Sequence, residues 1–265
     1  MILRAHLFGG DDRRARGFKW RGTDASRIEA LSDAVFGFAI TLLVVSLEVP
    51  RTFDDLVGVM RGFPAFAASF ALLLLIWYEQ YIYFRRYGID DTTSLVLNAV
   101  LLFLVVFMVY PLKFVFGVVI NGFWFRQDIR VPGPTGVPIW PVASSEWPLL
   151  MVVFSGAWVA IYGLYWAMYR HALKKADALE LDAVERHETR WQLVEYLIMI
   201  GVGLTSVVIA AAGYGRSARG ASFSGALAGA VYAVIWPAQV LQGKARERGG
   251  RPLREARAAA AGPTL

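Results

Sequence analysis

The sequence predicts an all-α membrane protein with six transmembrane helices. Hydrophobic residues make up 57% of the 265 residues and charged residues only 18%. Mean hydropathy is +0.47. A soluble domain is about 45–50% apolar and about 25% charged. Six apolar stretches approach the roughly 20 residues that cross a bilayer. They lie at about 31–49, 63–84, 93–115, 148–170, 190–213 and 222–241. Prolines fall mainly at the ends of these stretches or between them, where their missing N–H is tolerated.

Residues 1–26 are polar and basic, and no apolar core with a small-residue cleavage site precedes the first apolar run. That run is therefore expected to be an uncleaved first helix. Ser26 with Glu29 three residues on makes a capping box at its start. Pro50 follows span 1 and Pro64 opens span 2; Pro111 and Lys113 close span 3. The stretch 121–147 holds Pro132, Pro134, Pro138 and Pro141 with Trp124, Trp140 and Trp147. It reads as an ordered loop with interfacial aromatic anchors, not as a seventh span. Residues 27–242 form the membrane domain. After Gln242 the chain turns basic among Ala, Gly and Pro, and residues 243–265 are expected to be a disordered tail.

Six spans put both termini on one side. Of the 27 Lys and Arg residues, 20 fall on that side and 7 on the other. The excess marks the side of the termini as cytoplasmic, and a multi-pass protein of the cell's inner (plasma) membrane is expected. The chain has no cysteine, and none of its three histidines lies inside a long apolar run. No thiolate or His-based metal site is expected, and no cofactor. There is no nucleophile–base pair, no phosphate loop and no nucleic-acid motif, so neither an enzyme nor a nucleic-acid partner is expected.

Polar side chains inside a bilayer are costly, and so are candidates for function. With this topology, Asp33 of span 1, Trp77, Glu79 and Gln80 of span 2, Asn98 of span 3 and Glu195 of span 5 share one layer on the cytoplasmic side. For Glu79 and Glu195, contact with headgroups and water explains as much as a functional role. Asp33 and Asn98 sit on strongly apolar helices and are expected to hydrogen-bond across the bundle. Arg27 lies about 600° round the helix from Asp33, so the two do not share a face. Along span 1, Leu31, Val35, Phe38, Leu42, Val45 and Val49 form one apolar seam at spacings of 4 and 3. Beside it run the small residues Ala34 and Gly37, with Thr41. Periodicity alone leaves lipid contact and helix packing both open for this seam. Gly225 and Gly229 form a GxxxG in span 6 that predicts close packing.

The start of span 1 resembles the first-helix signature of the bacterial transmembrane-protein-175 family of potassium channels. Here it reads Arg27, three residues, then Leu31-Ser32-Asp33. Trp77, Asn98 and Pro111 extend the resemblance, which covers roughly residues 27–113. It implies a homotetramer in which helix 1 of each subunit lines a central pore for monovalent cations, with potassium as the permeant ion. It implies a ring of bulky apolar residues at Phe38, Leu42 and Val45, with Thr41 nearby. It also implies a structural polar network of Arg27, Ser32, Asp33, Trp77 and Asn98. No Thr-Val-Gly-Tyr-Gly-like loop occurs, so a carbonyl selectivity filter is not expected. The chain departs from the pattern at Leu31, where Phe is usual, and at Phe38, where Ile is common. It departs again after Trp77, where Tyr78-Glu79-Gln80 stand in place of His. The alternative function is a proton-coupled or proton-conducting transporter that uses Asp33, Glu79 and Glu195 as a relay.

Overall fold

The computed structural model describes residues 18–22, 26–45, 49–124, 129–133 and 136–261. Six of its helical stretches are long and apolar enough to cross a membrane, as the sequence predicts.

Helix α1 spans Arg27–Val45. It starts four residues before the apolar run because Ser26 caps it. Glu29 N donates to Ser26 Oγ at 3.2 Å, and Ser26 N donates to Glu29 Oε2 at 2.8 Å. A short amphipathic helix, α2 (Phe53–Arg61), follows, opened by a second capping box between Thr52 and Asp55. Helix α3 (Phe63–Tyr87) carries Pro64 in its first turn and ends at Gly88, whose φ of 58° is left-handed. Glycine adopts that geometry without penalty, and the Gly88 N–H caps Phe84 O at 2.8 Å.

Helix α4 (Thr92–Phe116) is capped by Asp91 and runs on through a π-helical segment, Gly117–Trp124. The proline-rich stretch then forms a two-stranded antiparallel ribbon, β1 (Val131–Pro132) with β2 (Pro138–Ile139), and no further span among the described residues. Helices α5 (Trp147–Lys174) and α6 (Ala183–Ala211) follow. The last span is helix α7 (Ala218–Ala230), a 3-10 turn (Val231–Val234) and helix α8 (Ile235–Ala261). The tightening at Val231–Val234 lies just before Pro237, which has no N–H to give the preceding turn.

The helices pack as a chain of neighbours. Helix α1 lies on α3 and α4, α4 on α5, and α5 on α6, while α7 and α8 lean on α6. Gly203 brings α5 and α6 together: a Cβ there would sit 2.6 Å from Val159 Cγ2 and 2.9 Å from Trp158 Cδ1. In the GxxxG of span 6, Gly225 takes the close approach, against Trp147. Five buried tyrosines, Tyr83, Tyr87, Tyr165, Tyr169 and Tyr196, fill the space between α3, α5 and α6.

One expectation is corrected. Residues 243–261 are not disordered; α8 is one helix as far as Ala261. Its arginines find acids on α6. Arg246 Nε donates to Glu188 Oε2 at 2.7 Å and Arg254 Nη2 to Glu188 Oε1 at 3.0 Å. Arg257 Nη1 lies 3.1 Å from Asp182 Oδ2. These buried and half-buried pairs offset the helix-breaking tendency of Gly249, Gly250 and Pro252.

Candidate functional site

Helix α1 has two unlike faces. Ile28, Glu29, Ser32, Phe36, Ala39 and Leu43 are buried against α3 and α4. Leu31, Ala34, Phe38, Thr41 and Val45 are exposed on the opposite side, at spacings of 3 and 4 that keep them in one stripe. Phe38 is 56% exposed and Val45 71%. Leu42 departs from its expected place. It is half-buried, as Val35 is, and packs against the core. The stripe is centred near Ala34 and Thr41, so Thr41 lies within it and Leu42 on its flank. The Thr41 hydroxyl is held by Gly37 O at 2.8 Å.

The polar residues of the signature fall into two separate pairings. In the interior, Asn98 Nδ2 donates to Ser32 Oγ at 2.9 Å, and Gln80 Nε2 donates to Asn98 Oδ1 at 2.8 Å. Ser32 in turn donates to Ile28 O at 2.7 Å. Three helices are thereby joined through groups that would be costly to bury alone. On the outer side of α1, Trp77 Nε1 donates to Asp33 Oδ1 at 2.7 Å. Arg27 joins neither pairing; it is exposed, with no hydrogen bond or ion pair among the described residues. The carboxylates of the relay alternative have other partners among the described residues: Asp33 accepts from Trp77, Glu79 from Tyr196 Oη at 2.9 Å and Glu195 from Gln192 Nε2 at 3.0 Å.

The sequence reading missed how α1 is approached. Residues 18–22 form a strap under α3 and α6. Phe18 is buried edge-on to Tyr87, beneath the guanidinium of Arg86 at 5.0 Å. Glu185, fully buried, accepts from Lys19 N at 2.7 Å and from Arg21 Nη2 at 2.7 Å. Arg21 Nε donates to Leu179 O at 2.7 Å, and Arg21 N to Arg85 O at 3.1 Å. The available signal was the Asp182–Glu185 capping box, which the structure shows at the start of α6.

A second tie joins α4 to the end of α5. Asp91 Oδ2 is 2.6 Å from His171 Nε2 and 2.5 Å from Lys175 Nζ. Burial would raise the Asp91 pKa. Hydrogen bonds from Lys175, Ser94 N and His171 outweigh it and hold the carboxyl well below the usual range.

The class defined by these features is a multi-pass helical membrane protein whose first helix is fastened on one face and open on the other. A family profile described as "Endosomal/lysosomal potassium channel TMEM175" matches residues 27–108. A protein named "Potassium channel" from Marivirga tractuosa is 36% identical over 203 residues, covering 72% of this chain and 77% of that one. "Potassium channel Cha6605_3372" from Chamaesiphon minutus is 28% identical over 200 residues, covering 70% and 87%. A solved structure of a variant of the potassium channel MtTMEM175, in complex with a Nanobody-MBP fusion protein, superposes with a TM-score of 0.73 at 33% identity. It covers 87% of this chain and 97% of that one. The chain belongs to the TMEM175 family.

Proposed function

We propose that the protein is a potassium-permeable channel, a homotetramer in which the exposed stripe of α1 lines the central axis. The observation that carries this reading is the stripe itself. In a chain whose relatives are named potassium channels, Leu31, Ala34, Phe38, Thr41 and Val45 are left uncovered by the protomer's own packing. Four copies of Phe38 and Val45 around an axis make stacked apolar rings. Such rings resist hydrated ions by dewetting, and no carbonyl filter is then needed. Phe38 is the bulkiest group of the stripe and sets the narrowest point. Thr41 stands between the rings with a hydroxyl oxygen to offer a cation or its water. The buried Ser32–Asn98–Gln80 chain holds the helix so that the stripe keeps its direction. The 20-to-7 division of Lys and Arg supports cytoplasmic termini in a bacterial plasma membrane.

The test is reconstitution into liposomes. A potassium gradient alone is expected to set a membrane potential, with no coupled proton movement, and native mass determination in detergent is expected to give four chains. Transport that requires a proton gradient, or a monomer that carries the flux, would overturn the reading.

A further inference from the structure

We infer that the outer face of α8 is a docking site for anionic lipid headgroups in the leaflet from which this helix emerges. The arginines of α8 divide by face. Arg246 and Arg254 turn inward to Glu188, and Arg257 to Asp182. Glu247, exposed like Lys244 and Arg248, borders the cavity that Arg246 and Arg254 line. Lys244, Arg248 and Arg251 are exposed on the opposite side. They continue the line of Leu241, 68% exposed, at spacings of 3, 4 and 3, so apolar and basic residues share one face. Trp236, 75% exposed, lies a turn and a half before Leu241. Lys244 and Arg248 have no hydrogen bond or ion pair among the described residues, whereas Arg251 is partly neutralised by Glu255 at 2.9 Å.

Distance and packing favour lipid as the occupant. At about 1.5 Å per residue, Lys244 lies about 4.5 Å beyond Leu241 and Arg248 about 10 Å. The headgroup layer is about 5–7 Å deep on each side. Long basic side chains extend back along the helix to reach it. Helix α8 packs on α6 and on the 3-10 turn, while α1 packs on α3 and α4. The C-terminal helix therefore sits at the other end of the series of packed helices from α1, with its outer face toward lipid.

The chain has no cysteine, so Leu241→Cys gives a single labelling site. A bimane label there is read in phosphatidylcholine vesicles, with quenching by dibrominated phosphatidylglycerol compared with dibrominated phosphatidylcholine. Each basic residue near an anionic surface is worth about five-fold in affinity. The parent, with Lys244 and Arg248 both free, is expected to prefer phosphatidylglycerol by about 25-fold. Adding Lys244→Gln and Arg248→Gln should bring the preference close to one, while Lys244→Arg with Arg248→Lys should keep it. All forms are checked for the same elution volume, and neither position supports a buried contact. Equal quenching by the two lipids in the parent would overturn the inference, as would an undiminished preference in the Gln variant. Quenching by neither lipid would place a neighbouring chain on this face and overturn it too.

Discussion

Glu185 Oε2 lies 2.7 Å from Arg21 Nη2 and also accepts the Asp182 N–H at 3.2 Å, so one carboxylate both starts α6 and anchors the strap that leads into α1. Glu185 is fully buried and Arg21 is 19% exposed. The pair is thus shielded from the screening that makes surface ion pairs weak. Removing one member strands the other charge. Glu185→Ala is expected to destabilise the protein by about 3 kcal/mol. Glu185→Gln keeps a cap acceptor and should lose less. Thermal unfolding in detergent measures both, and equal melting of Ala, Gln and wild type would mean that the strap is not held by this group.

Asn98 is the middle of a three-helix hydrogen-bond chain. Asn98→Leu leaves Ser32 and Gln80 each short of a partner in a dry interior. The expected loss is about 1–3 kcal/mol, toward the lower end because interhelical bonds in membranes average about 0.6 kcal/mol. The same thermal assay reads it. Ion preference in vesicle flux should stay unchanged, since Asn98 lies on the side of the bundle away from the exposed stripe.

On the proposed arrangement of α1 around a pore, Phe38→Asn is expected to wet the ring at this position, raise potassium flux several-fold and reduce discrimination among cations. Val208→Asn places the same side chain on α6, at a 67% exposed apolar position of a helix that does not pack on α1. It should leave flux unchanged. Parallel liposome recordings of the two variants would remove Phe38 from the axis if their effects were equal.

The Asp91 tie carries a pH signature. Its folded pKa is depressed, so its stabilisation is present above the ordinary carboxylate value of about 3.9 and is lost as pH falls below it. Melting temperatures of wild type and Asp91→Asn should differ at about pH 5. The gap should close progressively below about pH 4. A gap that does not change across that range would assign the Asn effect to the α4 cap alone.

Ending the chain after Gln242 removes Arg246 and Arg254 and leaves Glu188, 1% exposed, without a cation. The shortened protein should unfold at least as readily as Glu185→Ala. Normal stability would return this segment to the dispensable role that its composition suggests.

The six spans were legible because an apolar run of membrane length has few other uses. The Ser26–Glu29 cap was legible because it is local. The tail was not. Gly249-Gly250 and Pro252 read as breakers, and the partners that override them, Glu188 and Asp182, lie about sixty to seventy-five residues away in sequence. The strap was hidden for the same reason. On α1 the apolar seam pointed within a fraction of a turn of the exposed stripe. Its centre depends on which side α3 and α4 cover, and that packing turned Leu42 inward and left Thr41 in the stripe.

The separation of Arg21 from Glu185 also orders the birth of the protein. The two are 164 residues apart in the chain. At about 5–20 residues per second, a ribosome delivers Glu185 roughly 8–30 s after Arg21. Until then this pair cannot form, so the strap ahead of the first helix gains its buried carboxylate anchor only when the start of the fifth span has been made.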